Sequence, residues 1–145
     1  MSTAFRSITD ALVAACMQTP ALADGRVWAN RLRPLSASQA NAVVVRLAQT
    51  QSSENVLGML DWQTQFAVEC YGRGTVGIDP TDAVDDLLRS VWSRLTGINA
   101  AELGAMSLAL NSAIEWQFDE AETPVACAIV YLQVRHRTPV ATLLA

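Results

Sequence analysis

A chain of 145 residues with 51% hydrophobic and 17% charged side chains is one domain's worth, with a single core able to bury roughly two thirds of its unfolded surface. Its formal net charge of -4 gives no overall field to attract nucleic acid or an anionic membrane, and no stretch approaches the ~20 apolar residues of a membrane-spanning helix. Cys16, Cys70 and Cys127 are widely spaced among apolar neighbours, which predicts buried free thiols in a reducing compartment and excludes a disulfide frame or a short-spaced zinc site.

All ten basic residues are Arg, a bias that genome base composition explains and that also suits interfaces through the bidentate guanidinium. The first residues do not read as a signal peptide, because Arg6 and Asp10 interrupt the apolar run, so synthesis and residence in the cytosol are expected.

Ser2 or Thr3 can cap a first helix carrying Phe5, Ile8, Leu12, Val13 and Cys16 at helical spacing, with Arg6 and Asp10 paired on its outer side and Pro20 closing it. Asp24-Gly25 predicts a turn and residues 26–32 a short strand; residues 34–41 read as a loop or one helical turn. The β-branched run 42–47 predicts a strand, and the polar residues 49–55 a turn-like excursion. From Asp61 to Tyr71 the period is two, with Trp62, Thr64, Phe66, Val68 and Cys70 on one face, which predicts a half-buried antiparallel strand. Gly72, Gly74 and Gly77 then predict irregular chain.

The best-marked element follows. Asp79 as N-cap, Pro80 at N1 and Asp82 at N3 open a helix whose apolar stripe is Val84, Leu87, Leu88, Val91 and Leu95, with Asp85 and Arg89 paired outside and Gly97 as the stop. Residues 98–111 read as a loop with a helical piece at 102–106. Residues 113–137 predict two strands around an acidic, proline-bearing connection; the second is apolar on both faces from Val125 to Val134, the pattern of a strand covered on both sides. Pro139 ends it, and the apolar tail either docks or frays. The sum is one α+β domain spanning residues 1–145, a mixed, mainly antiparallel sheet of about four to five strands with two main helices on one face.

Chemical signatures are sparse. His136, the only histidine, stands between Arg135 and Arg137 with no Cys or carboxylate near it in sequence, so it reads as part of a basic strand end rather than a catalytic base. Asp82, Asp85 and Asp86 are explained by helix-dipole compensation rather than by a metal. The glycines at 72–77 match neither phosphate-binding pattern. Asp119, Glu120 and Glu122 repel one another in a short connection unless water and salt screen them or a neighbouring subunit's Arg135 and Arg137 face them. Composition and pattern alone therefore describe a small soluble α+β domain and name no function.

The strand opening Asp61-Trp62-Gln63-Thr64 and closing Glu69-Cys70-Tyr71, the helix over residues 79–95, and the run from Ile114 through Trp116, Phe118, Asp119 and Glu120 into the strand over 125–134 together resemble the tail-terminator (minor tail protein U-like) family of long-tailed bacteriophages and prophages. The glycine loop and the apolar tail have no counterpart in that pattern. The resemblance implies a non-enzymatic ring, a hexamer, that caps the tail tube, stops its polymerisation and presents a surface to the head-completion or connector protein. Its partners would be copies of itself, the tail-tube protein and that connector, with no cofactor, membrane or sequence-specific nucleic acid. Its place would be the head–tail junction of the virion, after assembly in the host bacterial cytoplasm. On this reading Asp119, Glu120 and Glu122 with Arg135, His136 and Arg137 lie at or near subunit or tube contacts. Another neck or head–tail connector protein, a small hydrolase using His136, and a monomeric binding module with an apolar groove are the competing expectations.

Overall fold

The computed structural model describes residues 2–31, 36, 39–54, 57–119 and 124–144. Helix α1 spans Ala4–Met17 and begins where expected, the Thr3 hydroxyl accepting from the Arg6 amide at 3.3 Å. Ile8, Leu12 and Cys16, four residues apart, form its buried line, while Arg6 and Asp10 pair outside at 3.1 Å. A 3-10 turn at Leu22–Gly25 leads into the short strand β1, Val27–Ala29.

Strands β2, Asn41–Glu54, and β3, Met59–Arg73, form a long antiparallel hairpin. The excursion expected at residues 49–55 is instead strand as far as Glu54, and Asn55 lies outside the described residues. Its polarity has a simple cause. Gln49 and Gln51 stand opposite Gln65 and Gln63 on a face without a covering layer, and Thr50 on the other face shares a 2.9 Å hydrogen bond with Thr64. Gly72 also belongs to β3 rather than to a loop, because α2 passes so close that a side chain there would strike its backbone.

Helix α2, Pro80–Thr96, has the Asp79 cap, its carboxylate accepting from the Thr81 amide at 2.8 Å. Val84, Leu87, Val91 and Leu95 are buried, whereas Leu88 is only half-buried. Arg89 pairs with Asp86 at 3.2 Å, one residue nearer than the expected Asp85; both groups are exposed, where three- and four-residue spacings serve equally. The helical piece expected at 102–106 is a 3-10 turn at Ala100–Leu103, closed by Gly104 at φ 68°.

Strand β4, Ser107–Asp119, starts six residues before the expected 113, and β5, Val125–Pro139, completes the sheet. The strand order is β1-β2-β3-β5-β4, with β1 parallel to β2 and every other neighbour antiparallel, which gives the expected mixed, mainly antiparallel α+β architecture. Both helices lie on one face, over a core of Val43, Val45, Phe66, Val68, Ala128, Val130 and Leu132. β5, apolar on both faces, is thus helix-covered on one only. On the other, Ala67, Cys127 and Ile129 are buried against Tyr71 and Tyr131, whose rings shield residues small enough to lie beneath them. The tail docks: the Leu143 carbonyl accepts from the Ala4 amide at 2.8 Å, satisfying a free donor at the start of α1.

Candidate assembly surface

α1 packs over β1 and β2, and α2 over β3 and β5. Two helices thus cover four strands and leave β4, at the margin, without one of its own. The alternation of β4 turns Leu108, Leu110, Ile114, Trp116 and Phe118 to the helix side. Leu108, Leu110 and Ile114 touch the core, but Trp116 is 41% and Phe118 59% exposed. Leu88 and Trp92 of α2, with Asp85, Arg89, Ser93 and Thr96 of the same helix, line a hollow of about 450 Å³ that reaches Ile114 of β4. The result is an exposed apolar strip on an outermost strand that continues, through Ile114, from a hollow of mixed lining against α2, an arrangement that soluble folds usually hide or use. The period-two spacing of Ile114, Trp116 and Phe118 carried this signal in the sequence; that no helix lies over them depends on strand order, which pattern does not disclose.

The predicted contact residues do not gather in one place. Asp119 ends β4 opposite Val125, and Arg135 lies opposite Ser107, so they sit ten residues apart along β5, roughly 33 Å at about 3.3 Å per residue. Glu120 and Glu122 lie outside the described residues. Arg135 and Arg137 project from the face without helices, and Arg137 holds Asp61 at 2.7 Å.

His136 points the other way and is 1% exposed. It therefore forms no part of a basic surface at the strand end. Its Nε2 shares a 2.7 Å hydrogen bond with the Thr64 hydroxyl, and its ring meets Phe5 of α1 edge-on with centroids 5.2 Å apart. Trp62 flanks the same Phe5 ring and donates to the Thr138 hydroxyl at 2.9 Å. Nδ1 of His136 has no partner among the described residues. The strand period explains the burial: His136 is in phase with Val130, Leu132 and Val134, not with its arginine neighbours.

Burial holds the His136 pKa below its ordinary 6.5. A depressed folded value means that the unfolded chain takes up the proton first as pH falls. Stability is therefore full above pH 6.5 and declines as the pH is lowered from 6.5 to 5.5. Urea melts at both pH values should show this loss in the wild type and lose that part of it in His136→Gln; equal losses in the two proteins would exclude it.

The face without helices divides in two. At one end Arg46 holds Glu69 at 2.6 Å, Tyr71 donates to the same carboxylate at 2.8 Å, and Tyr131 donates to Glu115 at 2.9 Å. At the other, Gln49, Gln51, Gln63, Gln65 and Gln133 surround a hollow of about 160 Å³, with Gln63 and Gln133 joined at 2.5 Å.

Reactive chemistry finds little footing. All three cysteines are buried, and burial pushes the thiol of Cys16 up to about 11 and that of Cys127 up to about 12, far from a nucleophilic thiolate. Among the described residues no three His, Cys, Asp or Glu side chains converge as metal ligands, and no helix is long and apolar enough to cross a membrane. No family model matches the chain, and no curated protein matches it.

Proposed function

We propose that this chain is a structural, ring-forming protein of the tail-terminator kind, which closes with copies of itself on the end of a phage tail tube, stops tube growth and offers its other side to a head connector. The observation that carries this reading is the state of the two sheet margins. β4 is the outermost strand on one side, and on the other β1 covers only Val43–Val45 of β2, so residues 48–54 have no described strand beyond them. Successive antiparallel pairings make β2 and β4 run in opposite directions. A copy turned about an axis along the strands keeps its direction, and so brings its β2 margin antiparallel to β4. Such a contact joins two different patches, the heterologous kind that a closed ring requires.

Pairing β4 with β4 is disfavoured by charge, since Glu115 and Asp119 are its only charged residues and would meet their own kind. The lone histidine, sealed in the core, leaves no room for hydrolysis in this reading. The order of elements shared with the tail-terminator pattern supplies the tube as partner, and the host cytoplasm followed by the head–tail junction as location.

Sedimentation and electron microscopy of the purified protein test the ring, and addition to polymerising tail-tube subunits tests termination. Closed rings and tubes halted at a fixed length are expected. A monomer at high concentration, with tube growth unaffected, would overturn the proposal. Co-purification with portal in place of tail tube would move the protein to another position in the neck.

A further inference from the structure

Both margins of the sheet change character at one row. Ala29, the last residue of β1, aligns across Val45, Val68 and Val130 with Ile114, the first paired residue after the irregularity in β4. On one side of that row the margins are β2 and the start of β4, with Gln51 aligned across Gln63 and Arg135 with Ser107. On the other side they are β1 and the end of β4, with Trp28 aligned across Val44, Glu69 and Ile129 with Glu115. The step made by the end of β1 thus lies level with the register shift in β4.

The charges along this second part are also matched. β4 carries Glu115 and Asp119 and no basic residue. The β1 margin carries Arg26 and Arg31, one just before and one just after the strand, with Arg31 stacked 3.8 Å over Trp28. Arg26, a quarter exposed, also meets the exposed Asp24 at 3.5 Å and donates to the Asn41 carbonyl at 2.7 Å; two guanidinium groups against one carboxylate leave the margin basic on balance. Finally, α1 stands over β1 and β2, while the strip over β4 has no helix.

We propose that the strip of Ile114, Trp116 and Phe118, with the hollow that Ile114 shares with Leu88 and Trp92, is the seat of the β1–α1 margin of a second copy of this chain, with Glu115 and Asp119 meeting Arg26 and Arg31 of that copy. The inference rests on the ring reading and adds to it which margin fills which hollow. A copy placed edge to edge carries its α1 into the place beside α2 where a helix is lacking, so the row of helices continues as the sheet does. Trp116 and Phe118, exposed in the single chain, become the central apolar contacts, and the carboxylate–guanidinium pairs fix the register.

The absence of lysine from the sequence gives a direct test. Arg31→Lys and, separately, Arg26→Lys preserve charge and introduce the chain's one side-chain amine, which a carbodiimide couples only to a carboxylate in direct contact. Rings of either variant should yield amide links between position 31 or 26 of one copy and Glu115 or Asp119 of another, located by mass spectrometry after mixing isotopically light and heavy chains. Trp116→Glu, at an exposed site, should leave the monomer's melting unchanged and reduce ring assembly at least tenfold. Rings that form while both amines couple elsewhere, or that assemble undiminished in Trp116→Glu, would overturn the inference and leave the ring reading standing. Failure of the wild type to assemble at any concentration would overturn both.

Discussion

Gly72→Ala should lower the stability of the fold by about 3 kcal/mol, the upper part of the range for forced overpacking, which in a chain of this size means a melting point lower by roughly 10 °C. A β-carbon placed on Gly72 would stand 2.8 Å from the backbone carbon of Ala83 and 2.8 Å from the amide nitrogen of Val84. Neither atom belongs to a flexible side chain, so relief requires the first turns of α2 to lift from β3. That movement would open the contact of Val84 and Leu87 with the sheet, and with it the anchorage of the whole helix. Gly97→Ala is the control, since its β-carbon would meet nothing closer than 3.6 Å and its φ of -87° suits any residue. Parallel melts of the two variants decide the matter, and a Gly72→Ala protein as stable as the Gly97→Ala one would refute the close-approach account.

Arg94→Met is expected to cost about 2 kcal/mol, because one guanidinium ties together several carbonyls at the end of α1 and beyond it through charge-assisted hydrogen bonds. Its Nη1 donates to Ala15 at 2.8 Å and to Gln18 at 3.1 Å, and its Nη2 to Pro20 at 2.7 Å. These oxygens belong to the end of α1 and the chain just beyond it, where the helix supplies only the long 3.4 Å bond from the Gln18 amide to the Ala15 carbonyl. A cation is also favoured there by the helix dipole. Methionine keeps the stem's packing and removes the donors, so the loss reports the hydrogen bonds and the charge. Arg94→Lys should recover less than half, since one ammonium cannot span oxygens reached from two guanidinium nitrogens. Full recovery by lysine would show that charge alone suffices.

How far the fold was legible follows from the kind of signal each element gives. α2 and its cap could be read almost to the residue, because Asp79, Pro80 and the Val84–Leu95 stripe each report on local backbone geometry. The strand at Asp61 was equally clear, its alternation fixing both the buried face and its antiparallel setting. The far half of β2 was not, since Gln49, Thr50 and Gln51 have turn-like polarity and become strand only through pairing with β3. The same holds for the start of β4, which follows a 3-10 turn and contains a register shift between Leu110 and Ile114. Gly72 misled because composition shows the absence of a side chain and not the helix that requires it.

For the candidate surface, His136 shows the limit of reading charge by adjacency. Between two arginines it looks basic and exposed, yet period two turns it into the core. Asp119 and Arg135 look like one contact because a hairpin brings their segments together in sequence, but the strand separates them by its length.

The amide-lined hollow on the sheet's bare face has a further consequence. The carboxylate at that end of the face, Asp61, is paired with Arg137, so apart from Arg135 that end meets its surroundings mainly through dipoles. Dipoles are little screened by dissolved ions. Whatever rests against the glutamines should adhere weakly, and almost equally at low and high ionic strength, whereas grip at the acidic border of the molecule should slacken as salt is raised.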